Sequence, residues 1–529
     1  MSALTFLGAV AFAPSQLGAQ TAPTCYGEAA TIVIDDAAVA ASTQTSFGKP
    51  YFPGTSGDDV IVVTSATGVT INASTGDDRV CGGDGDDRIA GSGGGDRLNG
   101  GAGNDRITGN DGYDRITSEA GDDEIFGGRD DDTITSLAGA DTIDGGDGND
   151  FLELFGSSEA VVVRGGAGYD SFFATTSSAV LHGDSGNDDF FTDGTFEGSI
   201  QGGDGNDQAD SYVANPGLIS MGAGDDVVFS GQPVGAVYLG DGNDRASIVG
   251  SNDPSARTII LGGAGANQVD VQGETSNLLV RLGTTDDNSR LTLTDLATDP
   301  RLILTAGRDV VSVAQVAGTI DLYGGDGNDE ITVREALDAT VTLVGGVGND
   351  RLELVNNSSS ARLLGGDGND SLILNSEGDN NMLRGGNGDD SLESRGAATN
   401  LSVRGDAGTD EIFVFDSLND VLITGGTGDD YIEGHNVGDR VRVFAGEGND
   451  WTIVFGSGVD LVLRGDNGHD YIGLGDGTVN SRLLGGAGDD LLEYGGFGGI
   501  ETILDGGPGT DYWANYSFDP VIARNALQF

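Results

Sequence analysis

Between Gly82 and Glu153 the chain repeats itself every nine residues without remainder: GGDGDDRIA, GSGGGDRLN, GGAGNDRIT, GNDGYDRIT, SEAGDDEIF, GGRDDDTIT, SLAGADTID, GGDGNDFLE. The shared form is Gly-Gly-x-Gly-x-Asp-x-apolar-x. A unit this short cannot bury its apolar side chain alone, so copies must stack, and such a chain grows in one dimension. A length of 529 residues would ordinarily suggest several domains. The repeat overrides that prior and argues for one solenoid.

Each unit divides into a six-residue turn and a three-residue strand. The glycines give the turn backbone angles closed to other residues and let carbonyls approach a ligand. The aspartate adds a charged oxygen. Calcium takes six to eight oxygen ligands at about 2.3–2.6 Å, mixing carboxylates with backbone carbonyls. One turn cannot supply so many, whereas two turns stacked one coil apart can, so each ion is expected to staple neighbouring coils. The eighth position (Ile89, Leu98, Ile107, Ile116, Ile125, Ile134, Ile143, Leu152) points inward and its neighbours outward. Two units make a coil of 18 residues, which separates two rows of candidate ligands. One is Asp78, Asp96, Asp114, Asp132 and Asp150; the other is Asp87, Asp105, Asp123 and Asp141. Carbonyls of turn glycines such as Gly83, Gly85, Gly101, Gly103, Gly146, Gly148, Gly325 and Gly327 complete the expected donor set.

Beyond Glu153 the turn occurs once per coil. It starts at 165, 183, 202, 221, 239 and 262, then near every twentieth residue from 324 to 506. This extends the long row through Asp170, Asp188, Asp207, Asp226 and Asp244, and then Asp329, Asp350, Asp370, Asp390, Asp410, Asp430, Asp450, Asp470, Asp490 and Asp511. Between turns lies a second strand with period-two alternation, as in Leu401 and Val403 or Val421 and Ile423. The return turn is polar and variable, so one edge should carry ions throughout and the other only along 82–150. The row is expected to break down between Ala266 and Asp309, where Asn267 replaces the aspartate but can still offer a neutral oxygen, and LGTTDDNSRL (282–291) has lost the second and third glycine positions, so a weak or vacant site and a bend are expected there. Asp287 falls in that degraded turn.

Charge supports the reading. Asp and Glu number 85 against 25 Lys and Arg, a net −60, and glycine reaches 93 residues. A bare chain this acidic and glycine-rich should struggle to compact, and it lacks the basic patches that nucleic acid requires. About 23 stacked turns leave about 22 intervals and the short row about three more, an upper bound of about 25 calcium ions or roughly +50. Fixed aspartate positions argue against a merely solvated acidic surface.

These repeats resemble the RTX (repeats-in-toxin) family, whose hemolysin-type nonapeptides bind calcium. The resemblance implies an all-β fold, a right-handed parallel β-roll or β-helix solenoid with stacked calcium-binding turns, here of about 23 coils at about 4.8 Å each. The lead-in TCYGEAATIVID (24–35) is similar to that of actinobacterial secreted RTX-like proteins, in which a second cysteine precedes a GGDGDD unit; Cys25 and Cys81 match the two positions. Two cysteines in an exported chain suggest one disulfide, with two thiols as the alternative. The pairing would pin the N-terminal cap to the first coils. An insertion, Asp36–Pro53, separates ATIV from the first turn-like unit, GTSGDDVIV (54–62).

The expected organisation is a signal peptide or its remnant over 1–19, a cap with degenerate repeats over 20–72, tandem repeats over 73–153, one-edged coils over 154–514 and a C-terminal cap over 515–529. Leu4–Ala13 is an apolar run of signal-peptide length, too short to span a membrane. Trp513, Tyr516 and Phe518 suit a lid, with a type I secretion signal as the alternative. No zinc spacing is present. His182-Gly183-Asp184-Ser185-Gly186 contains the GDSG tetrapeptide of trypsin-like proteases, but repeat register explains it. No enzyme is expected. The reading is a secreted monomer, free or attached to the cell surface, whose β-roll folds on calcium; no membrane insertion is expected, and a protein or glycan partner is not identified. The alternatives are an adhesin or surface spacer rod and, further off, an RTX-associated hydrolase, for which no catalytic domain remains. Ice binding is disfavoured, because the third turn position reads Asp326, Val347, Asp367, Asn387 rather than a threonine file.

Overall fold

The structure is a computed structural model. It describes residues 23–528 except 157–159, 176–177, 195, 213–216, 251–256, 274–276, 284–287, 297–299, 305, 358, 417–418, 476–477, 496–501 and 517–520. The signal-peptide expectation, Asp287 and Phe518 lie outside the described residues. The chain divides into two compact units, Met1–Asp147 and Gly148–Phe529. Each is a parallel β-solenoid, as the RTX resemblance implies.

In the first unit each strand pairs with the strand one coil away and in register. Arg97, Leu98 and Asn99 stand opposite Arg115, Ile116 and Thr117, and Arg106 and Ile107 opposite Glu124 and Ile125. The register shift of 18 stacks each apolar eighth residue on its equivalent, so Leu98, Ile107, Ile116, Ile125 and Ile134 are all fully buried. The strands on one side are longer than the three residues expected: Arg88–Gly93, Arg106–Asp111 and Glu124–Arg129 run into the next turn. Their counterparts Arg97–Asn99 and Arg115–Ser118 stop sooner.

The N-terminal segment adds one outer rung to both sheets. Ile32–Ile34 lies parallel to the strand Val60–Val63, and Thr31 clamps it by accepting from Val60 N–H and donating to Val60 C=O. The insertion does not disturb this. Asp36–Ala41 is a short helix capped by the Asp35 carboxylate on Ala38 N–H. A hairpin of Thr45–Ser46 and Lys49–Pro53 then lays its second strand against Thr70–Thr75. Cys25 is consequently brought to Cys81. The two form a disulfide with Cα atoms 5.8 Å apart, and Cys25 is buried against Val60 and Val62.

The second unit uses a longer coil. The coil between Asp410 and Asp430 buries four aliphatic residues, Ile412, Val414, Val421 and Ile423. One coil of the first unit buries only Leu98 and Ile107 between Asp96 and Asp114. The return edge has a regularity that sequence reading missed: Asn380, Asn400, Asp420, Asp460 and Asn480 all adopt positive φ between 56° and 62°. Asparagine and aspartate tolerate this left-handed conformation better than other non-glycine residues. Side chains also link the edge from coil to coil, with Asp439 N–H donating to Asn419 Oδ1 and Val459 N–H to Asp439 Oδ1. At the C-terminal end Trp513 pairs with Leu492, but Tyr516 is exposed and covers no core. The closing rungs are Val521–Arg524 and Leu527–Gln528, parallel to the strands before them.

Candidate metal site

The sixth-position aspartates are buried, and their carboxylates have two different oxygens. Oδ1 accepts the backbone N–H of the equivalent residue one coil earlier. Asp78, Asp96 and Asp114 donate in this way to Asp96, Asp114 and Asp132 over 2.7–2.8 Å. The short row follows the same rule from Asp87 to Asp105, Asp123 and Asp141. In the second unit the file runs from Asp150 through Asp170, Asp188, Asp207, Asp226 and Asp244. From Asp329 aspartates again carry the file to Asp511 through Asp350, Asp370, Asp390, Asp410, Asp430, Asp450, Asp470 and Asp490.

Oδ2 faces the other way, into the turn. It is buried without a hydrogen-bond partner at Asp78, Asp96, Asp105, Asp114 and Asp123, at Asp170 to Asp244, and at every row aspartate from Asp329 to Asp511. A buried acceptor left unmade costs about 1–3 kcal/mol, more when charged, so this repeated defect requires something to fill it. The surroundings are oxygen-rich. A Cβ on Gly365 would meet Asp370 Oδ2 and lie 2.6 Å from Gly385 O of the following coil. Gly405 repeats the arrangement with Asp410 Oδ2 and Gly425 O. First-position glycine is thus required for space: a side chain there would occupy the cradle between coils. The fourth glycine is required for conformation, with φ of +153° at Gly148 and +140° at Gly327. Second-position Gly146 and Gly325 are also at positive φ, +112° and +110°. In the first unit the Gly83 and Gly101 carbonyls already accept N–H bonds from Ala102 and Ala120.

Burial pushes these carboxyls up. Asp96 and Asp105 reach about 7, chiefly through desolvation, with the donated N–H pulling down and the adjacent carboxylates adding to the rise. Asp188 and Asp430 also reach about 7, and Asp123 and Asp410 about 6. A carboxylate costly to ionise, with its second oxygen among carbonyls, is what a bound cation would relieve. Among the described residues no three His, Cys, Asp or Glu side chains converge on a metal-sized gap. A cation here would draw on one carboxylate per turn and otherwise on main-chain oxygens, a hard-oxygen set that fits calcium.

The short row differs at its ends. Asp87 Oδ2 accepts Gly83 N–H at 3.1 Å, and the Lys49 ammonium donates to the neighbouring Asp86 C=O; burial raises the Asp87 carboxyl, opposed by the N–H bonds from Val69 and Gly83 and then by the Lys49 charge. Asp141 Oδ2 accepts from Ser136 Oγ. Only Asp105 and Asp123 in that row keep an unpaired Oδ2.

Sequence reading missed two kinds of residue. Asp59 heads the long row, receiving no glycine pair in its turn but donating its N–H to Asp78 Oδ1 at 2.7 Å. Asp309 rejoins the row before Asp329. The second kind is the fifth turn position, treated as variable. Its side chain accepts the backbone N–H of the fifth residue one coil later: Asn104 from Asp122, Asn349 from Asn369, Asn369 from Asp389. The recurrence of Asn or Asp there was the available signal. Elsewhere, Ser185 of the GDSG tetrapeptide donates to Gly166 C=O, and Asp184 is paired with Arg164.

The sequence model of the RTX calcium-binding nonapeptide repeat matches overlapping windows that span residues 70–152, and again 417–441. The chain therefore carries RTX calcium-binding repeats, several copies of them, in a parallel β-solenoid. Comparison with curated proteins finds no match.

Proposed function

We propose that the protein is an extracellular, non-catalytic calcium-binding solenoid, monomeric, whose coils are held together by ions lodged between stacked turns. The observation that carries the proposal is the buried, unpaired Oδ2 recurring from Asp78 to Asp511. The ligands are the row aspartates with carbonyls of the turn glycines, and about 25 ions is the upper bound. The Cys25–Cys81 disulfide supports an oxidising compartment, where calcium is abundant enough for sites of about 10⁻⁴–10⁻³ M affinity. A spacer or adhesin rod is the second reading. It is favoured by one outward column of Tyr431, Trp451, Tyr471, Leu491 and Tyr512, in register over successive coils.

Equilibrium dialysis of calcium-stripped protein tests the proposal. We expect on the order of 20 ions per chain, weak competition by magnesium, and far-UV β signal rising in step with occupancy. Fewer than about ten ions, or a full β signal in stripped protein, would sink it.

A further inference from the structure

At two successive sixth positions of the second unit the hydrogen-bond file is kept but the carboxylate is not. Asp244 N–H donates to Asn267 Oδ1 at 3.0 Å, Asn267 N–H to Ser289 Oγ at 3.2 Å, and Ser289 N–H to Asp309 Oδ1 at 2.8 Å. We infer that Asn267 and Ser289 form a cation-free joint dividing the row of this unit into two calcium arrays, Asp150–Asp244 and Asp309–Asp511, which load and empty independently. The inference rests on the metal-row reading above.

At Asn267 the atom in the cation-facing place is a donor. Its Nδ2 bonds to Gly265 C=O, the fourth-position carbonyl of the same turn, at 3.1 Å. A Cβ on Gly262 would lie 2.9 Å from that nitrogen, where one on Gly202 would meet Asp207 Oδ2. The amide thus supplies internally the positive end that an ion supplies elsewhere, with no charge to neutralise. Ser289 has a single side-chain oxygen, already accepting from Asn267 N–H, and no second one to turn into the interval. Three consecutive intervals therefore lack a sixth-position carboxylate on one or both sides.

The coils stay in register without ions. Strands Gln268–Gln272 and Arg290–Leu296 pair residue for residue, and Val269, Val271, Leu291 and Leu293 are fully buried. Solenoid coupling passes between neighbours. Ions that share ligands are coupled; across the joint no row carboxylate is shared, so occupancy on one side does not bias the other.

The test uses the full chain, stepwise reduction of free calcium, and hydrogen exchange read by mass spectrometry in the strands beside Asp207–Asp244 and beside Asp370–Asp430. Asp410→Asn copies the Asn267 rung inside the second array. It should raise the calcium midpoint for protection of that array by about tenfold or more and leave the Asp207–Asp244 midpoint unchanged. Adding Asn267→Asp and Ser289→Asp should let the shift spread to both arrays and raise the bound-ion count. Equal shifts of both arrays in the Asp410→Asn chain overturn the joint while leaving the metal row intact. Protection indifferent to calcium in both arrays overturns the metal row, and the joint with it.

Discussion

The tandem repeats of the first unit and the longer coils of the second solve the same closure problem with different means. In the first, both edges turn on buried aspartates, and each nine-residue unit contributes one buried aliphatic residue such as Ile107 or Ile116. In the second, one edge keeps the aspartate and the other is closed by left-handed Asn and Asp residues with side-chain bonds between coils. It also buries about twice as many aliphatic residues per coil, each worth about 1.5–3 kcal/mol. The lesson is that carboxylate turns and apolar strands are exchangeable closures. A coil with two charged edges depends on ions more heavily than a coil with one.

Calcium removal should expose this difference most sharply. As free calcium falls at pH 7.5, hydrogen exchange should accelerate first in strands Arg106–Asp111 and Glu124–Arg129, and only later in Glu411–Phe415 and Leu422–Thr427. The reverse order would break the comparison. Calcium-stripped protein should recover β signal on acidification. The row carboxyls are raised in the fold above their ordinary value near 3.8, Asp96 and Asp170 to about 7. Proton uptake therefore favours the fold, fully below about pH 4 and not at all once the pH has risen through about 7. Circular dichroism from pH 8 to pH 4 checks the sign.

Next in size is the disulfide. Cys25→Ser with Cys81→Ser opens a link spanning 56 residues, for which chain entropy gives about 4 kcal/mol. The loss should fall on the first unit alone, seen as a calorimetric transition that moves while that of the second stays. Smaller still is Asp410→Ala, which orphans the Asp390 N–H at a cost of about 1–3 kcal/mol, plus the ligand lost to two neighbouring intervals. Ser289→Ala, at the joint, should shift the midpoint of thermal unfolding much less; equal shifts would mean that the two kinds of rung are alike. The smallest effect is expected for Asn349→Ala, which removes one exposed bond to Asn369 N–H, about 1 kcal/mol or less.

Much of this architecture was legible in the sequence because period, charge and burial coincide at the sixth and eighth positions. What was not legible has local causes. Asp59 and Asp309 sit in turns lacking the glycine pair; GTSGDDVIV (54–62) reads as turn-like, but motif reading assigns neither aspartate to the row in which backbone stacking places both. Asn267 reads as a degraded ligand, but in the folded turn its amide donates to Gly265 C=O, which the residue type alone does not tell. The return edge looked variable because the requirement there is a backbone angle, which Asn380, Asp420 and even Arg440 meet with different side chains. The segment Asp36–Pro53 gave no periodic signal, because its helix and hairpin serve as an end piece and are used once.

The two side-chain files run in opposite senses. A sixth-position carboxylate accepts from the coil before it, as Asp370 does from Asp350, and a fifth-position side chain from the coil after it, as Asn349 does from Asn369. Coils that carry both files therefore present the same pair of complementary faces to either neighbour, and coils of one such kind can follow one another. Unequal recombination that adds or deletes a whole coil leaves no unmatched donor, whereas a slip of half a coil in the second unit sets a return turn against an aspartate turn. Copy number is then a heritable quantity that can drift in whole-coil steps, and the departures from strict periodicity at Asn267 and Ser289 mark where such exchange would be least neutral.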